Sequence, residues 1–360
     1  MTKKRLTYID MSKGLGILLI TYGHITTLGN PIDSWMSLFK ITIFYIISGY
    51  LLALSNKAES YTCMEYGKRL FYSIMKPYFL FSIIGFFYRF SILSLKADEL
   101  DLSFAKDYIY STVTLRGVST FWFLPTLFFG NLIFFWILRQ KKRWLLAFPL
   151  TLPIVIGSFS ASLLSSLLES LSKEAFLLVS YPILVIAKSS VAIWFLAIGY
   201  LLFFLHGRIP KGITRLLLGI VGLLMTWFLS TRTSGIDFNN LKLGSSPALF
   251  YIGGVIGSFS CLLTFEFISN FSSLPPLVYF GKNSLLLMIL QRIFYLIAIS
   301  TSGWKSIAGI ANTIGLRYYI DCFGILCILL LMAYPIIEFI NDNVPFLMKK
   351  HSNPKTEVSH

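Results

Sequence analysis

His24 stands inside an apolar run, LGILLITYGHI, where an ionisable side chain is costly and by default marks a place where chemistry is done. An imidazole titrates near neutrality, which suits a general base that takes the proton from a hydroxyl. Two more ionisable residues precede it, Asp10 and Lys13. Lys13 and His24 are 11 residues apart, just over three full helical turns, so both point the same way with about 16 Å of rise between them. Asp10 lies one turn below Lys13 on the same stripe. One face of one helix therefore holds an acid, a basic residue and an imidazole. Gly14, Gly16 and Gly23 lie among them and let neighbouring helices come close.

Other ionisable residues fall inside or at the ends of apolar runs: Lys40, Lys76, Arg89, Lys188, Glu266, Arg292, Asp321 and Glu338. Lys40 and Lys76 suit snorkelling toward an interface. Glu266, Asp321 and Glu338 are near enough to interfaces to be ordinary interfacial groups. Three short motifs have both a packing and a chemical reading. Ser48 opens SGY at 48–50, where small residues also serve helix packing. Trp122 lies in FWFLP at 121–125, which also reads as an aromatic belt. Ser284 closes GKNS at 281–284, where Asn283 or Ser284 could cap a helix. The four cysteines have neither metal-ligand spacing nor a disulfide framework and read as small apolar fillers. No metal site is expected.

The elements that hold these residues follow from composition. Of 360 residues, 56% are hydrophobic and 13% charged, against about 25% charged in a soluble domain. The bilayer must act as solvent, and the fold class is all-α, a polytopic bundle of transmembrane helices. Ten stretches have a spanning length: approximately 12–28, 35–55, 71–94, 119–138, 144–160, 184–205, 213–230, 247–268, 280–300 and 319–340. The sixth belongs to a longer stretch, Ala175 to Leu205, that is interrupted by Pro182 and Lys188 and could hold a short extra helix or a re-entrant piece. Residues 95–118 read as a polar, amphipathic outer loop. The net charge of +15 lies in short clusters between apolar runs, the strongest being RQKKR at 139–143. That pattern sets topology rather than binding nucleic acid, and it places both termini in the cytoplasm with an even number of spans. The chain divides into a membrane domain, 1–345, and a short cytoplasmic tail, 346–360.

In this order the pieces resemble the acyltransferase 3 family of bacterial membrane acyltransferases. RLTYIDMSKGLGILLITYGH at 5–24 is similar to its first-span signature: an aspartate, a basic residue followed by glycine, then ten residues to a histidine. FKITIFYIISGYLL at 39–52 resembles its second span, ending in SGY, and KRLFYSIMKPY at 68–78 resembles its basic start to the third. FWFLP and GKNSLLLMILQ resemble a middle and a late span. Lys13 stands where the family usually has arginine, and Gln291 beside Arg292 stands where its late span often ends on histidine.

The resemblance implies an O-acyltransferase of the polysaccharide O-acetylating kind, in a bacterial cell membrane. It implies acetyl-CoA as donor co-substrate on the cytoplasmic side and no permanently bound cofactor. It implies catalytic roles for His24, Lys13 and Asp10, and donor contacts from Arg5, Lys68 and Arg69. Ser48, Trp122, Ser284 and Arg292 would face the acceptor, a hydroxyl of a polysaccharide or lipid-linked saccharide on the outer side. The alternative is a transporter or flippase of lipid-linked sugars, which intramembrane charges would also serve; the lack of a visible internal repeat weighs against it. A glycosyltransferase or polymerase is a third reading, with the acids of the 95–118 loop in its favour.

Overall fold

The computed structural model describes residues 6–26, 29–55, 57–95, 102–140, 148–149, 151, 156, 163, 166–167, 170, 172–311 and 313–348. Among them the chain is a helical bundle with one small two-stranded hairpin. Helix α1 (Thr7–Ile25) runs from one end of the bundle to the other, and α2 (Pro31–Ser37) and α3 (Thr42–Ser55) return. The start of α2 is written locally: Asn30 accepts a hydrogen bond from the Asp33 amide at 2.9 Å, and Pro31 occupies the first turn. Thr62 and Glu65 form a capping box that opens α4 (Cys63–Leu70), which passes through a π-helical turn, Phe71–Met75, into α5 (Lys76–Ser94).

Two of the next elements differ from the sequence expectation. The stretch read as a polar loop at 95–118 contains α6 (Leu102–Val113), which packs on α5. Tyr108 donates to the Ser82 carbonyl at 3.1 Å, and Tyr78 donates to the Thr112 carbonyl at 2.8 Å. The apolar face of α6 thus has a partner that composition did not reveal. After a short 3-10 turn, Ser119–Trp122, α7 (Phe123–Arg139) runs on. The stretch read as interrupted is one helix, α8 (Lys173–Arg208), which continues through Pro182. Lys188 does not break it, because the ammonium is matched by groups from other segments.

Helix α9 (Ile213–Ser230) leads to the hairpin strands β1 (Ile236–Asp237) and β2 (Lys242–Leu243), and α10 (Pro247–Ile268) returns. Then come α11 (Pro275–Lys282), α12 (Ser284–Ile293), α13 (Leu296–Ala308) and α14 (Leu316–Asn343). The expected ninth span is broken, with α12 and α13 bent by 69°. Among the described residues, seven helices are long and apolar enough to cross a membrane, eight if this bent pair is one crossing. The polar residues of α1 lower its mean hydropathy, so it is not among the seven. The expected fifth span, 144–160, lies almost wholly outside the described residues.

Large aromatic side chains fill the interior, among them Tyr45, Tyr78, Phe39, Phe121, Phe134 and Phe195. The exterior is also apolar: Leu217, Ile220, Val221, Leu224 and Phe228 form an exposed face on α9. Water would not tolerate such a surface, whereas hydrocarbon does. Between helices, hydrophobic driving force is then weak and close backbone packing takes over. A Cβ on Gly14 would lie 2.0 Å from the Leu277 carbonyl oxygen, and one on Gly281 would lie 1.8 Å from that of Asp10. Those two glycines set α1 directly on α11. Gly49 and Gly199 do the same for α3 and α8, with Cβ positions 1.9 Å and 2.1 Å from the facing carbonyl oxygens of Leu196 and Ile46.

Candidate active site

Close packing on one side of α1 leaves two cavities on another. The first, of about 160 Å³, is lined by Lys13, Ile17 and Ile20 of α1, Phe44 and Ser48 of α3, Ser73 and Ile74 of the π-helical turn, and Ser284, Leu285 and Met288 of α12. Three residues of α7, Phe123, Leu124 and Leu127, complete its wall. The π-helical turn matters here, because the extra residue re-aims Ser73 and Ile74 relative to a regular helix. The second cavity, of about 280 Å³, holds His24. The two share Ile20, Phe123 and Met288, an apolar collar between the Lys13 compartment and the His24 compartment.

The His24 cavity gathers distant segments. Alongside Gly23 and His24 it is lined by Ser37, Lys40, Ser119, Thr120 and Trp122, by Ile236 through Asn239 of the hairpin, and by Arg292. His24 is half-buried and makes no hydrogen bond among the described residues, so its imidazole is available to a ligand. Lys40 comes in over Gly23, where a Cβ would lie 2.7 Å from its Nζ. Its ammonium pairs with Asp33 at 2.9 Å. The snorkelling expected for Lys40 is therefore wrong: a buried carboxylate on α2 holds it at the cavity, in place of an interface. Lys76 donates to the Phe346 carbonyl at 2.6 Å.

The break after α12 brings Arg292 to the cavity. Its cost is met by Arg89 of α5, whose Nη2 donates to the Arg292 carbonyl at 3.2 Å and whose Nε donates to the Ile293 carbonyl at 3.5 Å. Non-helical backbone at membrane depth needs such partners and recurs where it lines a cavity. The opposite wall is held by Lys188. It is fully buried, donates to the Asn239 carbonyl at 3.2 Å, and lies over the Trp122 ring at 4.7 Å from its centroid. Arg116, in the link between α6 and the 3-10 turn, donates to Asn239 Oδ1 at 2.7 Å and to Asn240 Oδ1 at 3.1 Å. Burial lowers the Arg116 pKa from its ordinary value, with Tyr181 and Asp237 opposing.

Of the residues expected at the site, His24, Trp122 and Arg292 meet in one cavity and Lys13, Ser48 and Ser284 in the other. Asp10 lines neither; its backbone is the surface on which Gly281 packs. Lys68 is exposed, and Arg69 stacks on the Tyr61 ring at 4.4 Å, outside both cavities. Arg5 lies outside the described residues, as do Lys141, Lys142 and Arg143. Sequence reasoning missed Asp33, Asp237 and Asn239, which sit in a seven-residue helix, a two-residue strand and a 3-10 turn, each too short to give a periodic signal. It also missed His206.

His206 centres a buried polar chain at the end of the bundle where α1 begins. Tyr8 and Tyr50 share a hydrogen bond of 3.0 Å, and the Tyr50 hydroxyl lies 2.6 Å from His206 Nδ1. His206 Nε2 contacts Glu266, which also pairs with Arg215. Arg215 donates through Nη2 to the carbonyls of His206 at 3.0 Å and Ile209 at 2.9 Å. Glu266 is thus a partner in a network that joins α1, α3, α8, α9 and α10, not an ordinary interfacial group. Asp321 is buried as well, accepting from Trp304 Nε1 at 3.1 Å and the Ala311 amide at 2.9 Å. Glu338 accepts from the Tyr279 hydroxyl at 2.6 Å.

An imidazole with an open valence beside cationic side chains can deprotonate a hydroxyl and stabilise the oxyanion of an acyl-transfer intermediate. A family model described as an acyltransferase domain matches residues 6–336. No curated protein and no solved structure matches the chain. With that match over nearly the whole chain, and a helical bundle suited to a bilayer, the protein belongs to the acyltransferase 3 family and is a membrane acyltransferase.

Proposed function

We propose that the protein moves an acetyl group from cytoplasmic acetyl-CoA to a hydroxyl of a cell-surface polysaccharide or lipid-linked sugar on the outer side of a bacterial cell membrane. The observation that carries this reading is the pair of cavities. Lys13 and His24 open into consecutive compartments along one helix, whose walls share Ile20, Phe123 and Met288. Loop charge orients the bundle with both termini in the cytoplasm, so Lys13 faces the donor side and His24 the acceptor side.

In this reading Lys13 holds the donor near its phosphates or thioester, and the extended pantetheine arm passes the collar. His24 takes the proton of the acceptor hydroxyl. The oxygen attacks the thioester carbonyl, the C–S bond breaks, and the CoA thiolate leaves and takes up a proton. Arg292 and the ammonium of Lys40 stabilise the tetrahedral oxyanion. Lys68 and Arg69, with the neighbouring basic cluster, attract the negatively charged donor to the inner face. The compartments, at about 160 and 280 Å³, suit an acyl arm and a sugar unit better than the passage of a lipid-linked oligosaccharide, which speaks against a flippase.

The test uses purified protein in lipid with labelled acetyl-CoA and a polysaccharide acceptor. Label should move to the acceptor with wild type and with Lys13→Arg, and fail to move with His24→Ala or Lys13→Ala. A folded His24→Ala variant with full transfer would overturn the assignment. In cells, loss of the gene should leave the polymer on the surface and remove its base-labile esters; loss of the polymer itself would favour the flippase.

A further inference from the structure

We propose that a polar cleft beside the His24 cavity is the acceptor subsite, and that it holds a neutral sugar residue next to the one being acylated. This rests on the reading of the protein as a sugar O-acyltransferase. The cleft, of about 190 Å³, lies between the start of α2 and the hairpin, at the end of the bundle opposite the start of α1. Ser37, Ile236 and Asp237 line both it and the His24 cavity, so a ligand seated in the cleft adjoins the imidazole.

The lining chemistry selects the ligand. Asp33 and Asp237 supply carboxylate acceptors, and Ser34, Thr233 and Ser234 supply hydroxyls. Carboxylates flanked by hydroxyls accept hydrogen bonds from a polyol, and they repel a phosphate. Lys242 is the one cation among the lining residues and is exposed at the rim. The volume is below the roughly 300–1,000 Å³ of a drug-sized pocket and suits one ring. Asp33 carries the Lys40 ion pair, so the same carboxylate borders the cleft and holds a cation in the His24 cavity.

The hairpin wall is preorganised. Asn240 Nδ2 donates to Asp237 Oδ2 at 2.7 Å, and Arg116 and Lys188 clamp Asn239 and Asn240 from the other side. A wall fixed before the ligand arrives does not charge its ordering to the binding step. Asp237 then presents its carboxylate at the junction of cleft and cavity.

The experiment uses the full chain in proteoliposomes, acetyl-CoA on the side where α1 begins, and de-esterified surface polysaccharide of the producing cell on the other. Ser234→Trp fills the cleft from an exposed position, and Asp237→Asn removes the junction charge. Both should raise the KM for polysaccharide by about tenfold or more, with the KM for acetyl-CoA changed by less than about twofold. An unchanged polysaccharide KM, or an equal rise in both, overturns the subsite.

A second readout needs no turnover. In a Cys63→Ser background, Ser234→Cys is labelled with a membrane-impermeant maleimide from the hairpin side, and oligosaccharide fragments of the same polysaccharide should slow labelling several-fold. No slowing overturns the subsite. If wild type passes no label from acetyl-CoA to any saccharide, the acyl-transfer reading fails on its own, and protection of Ser234→Cys still decides whether the cleft binds sugar.

Discussion

Replacing Gly281 with alanine tests whether the α1–α11 crossing holds the site together. The new Cβ would sit 1.8 Å from the Asp10 carbonyl oxygen, a backbone atom that cannot swing aside. Real Cβ atoms essentially never approach closer than 3.0 Å, so the crossing must open by more than about 1 Å. Overpacking of this kind costs about 1–3 kcal/mol. The consequence for function is larger. Helix α1 carries Lys13 and His24, and α11 leads directly into α12 with Ser284, Met288 and Arg292, so opening the crossing separates two walls of both cavities. A misplacement of about 1 Å at a reacting centre costs on the order of 10²-fold in rate. Thermal melting in nanodiscs and acyl-transfer rate should therefore fall together. Gly303→Ala is the matched control: nothing lies within 4 Å of its Cβ, and it should melt at or above wild type by up to about 1 kcal/mol of helix propensity. If Gly281→Ala melts and transfers like Gly303→Ala, the close crossing is not present in the membrane and the reasoning fails.

Three further outcomes are expected. Tyr50→Phe removes the hydrogen bonds to Tyr8 and His206, at about 0.5–1.5 kcal/mol each, and should lower the melting temperature while leaving most transfer intact; an unchanged melt would deny the network a structural role. Lys188→Met replaces a buried ammonium, whose desolvation is costly, with an apolar group of similar volume, yet it frees the hairpin. Amides of residues 236–243 should exchange faster with deuterium and transfer should drop while the melt holds, and unaltered exchange would refute the clamp. Arg89→Ala removes the side-chain donor to the carbonyls of Arg292 and Ile293 and should slow transfer, whereas equal activity would show that the break needs no side-chain cap.

Parts of this molecule were legible in the residues alone. An apolar chain with few charges requires a bilayer, and helical periodicity sets Lys13 and His24 on one face whatever surrounds them. The family match agrees with the signature at 5–24, followed by SGY. The same local reading failed where a side chain's role depends on its partner. Lys40 reads as a snorkelling lysine until Asp33 is seen beside it, and Glu266 reads as interfacial until His206 and Arg215 close around it. The 95–118 stretch looks like a polar loop until α5 covers the inner face of α6.

Periodicity is a property of neighbouring residues, so the sequence by itself determined which helix carries the imidazole and which way it faces. What faces it in return comes from residues far along the chain. Arg116 reaches Asn239 across 123 positions, Lys188 reaches the same loop across 51, and only that folding places Asp237 and Asn239 over His24. Nothing in the composition of a short Ser, Gly and Asn-containing loop encodes such a destination. The tertiary structure decided it, because the loop's place is set by buried charges that need its carbonyls and amides to be satisfied.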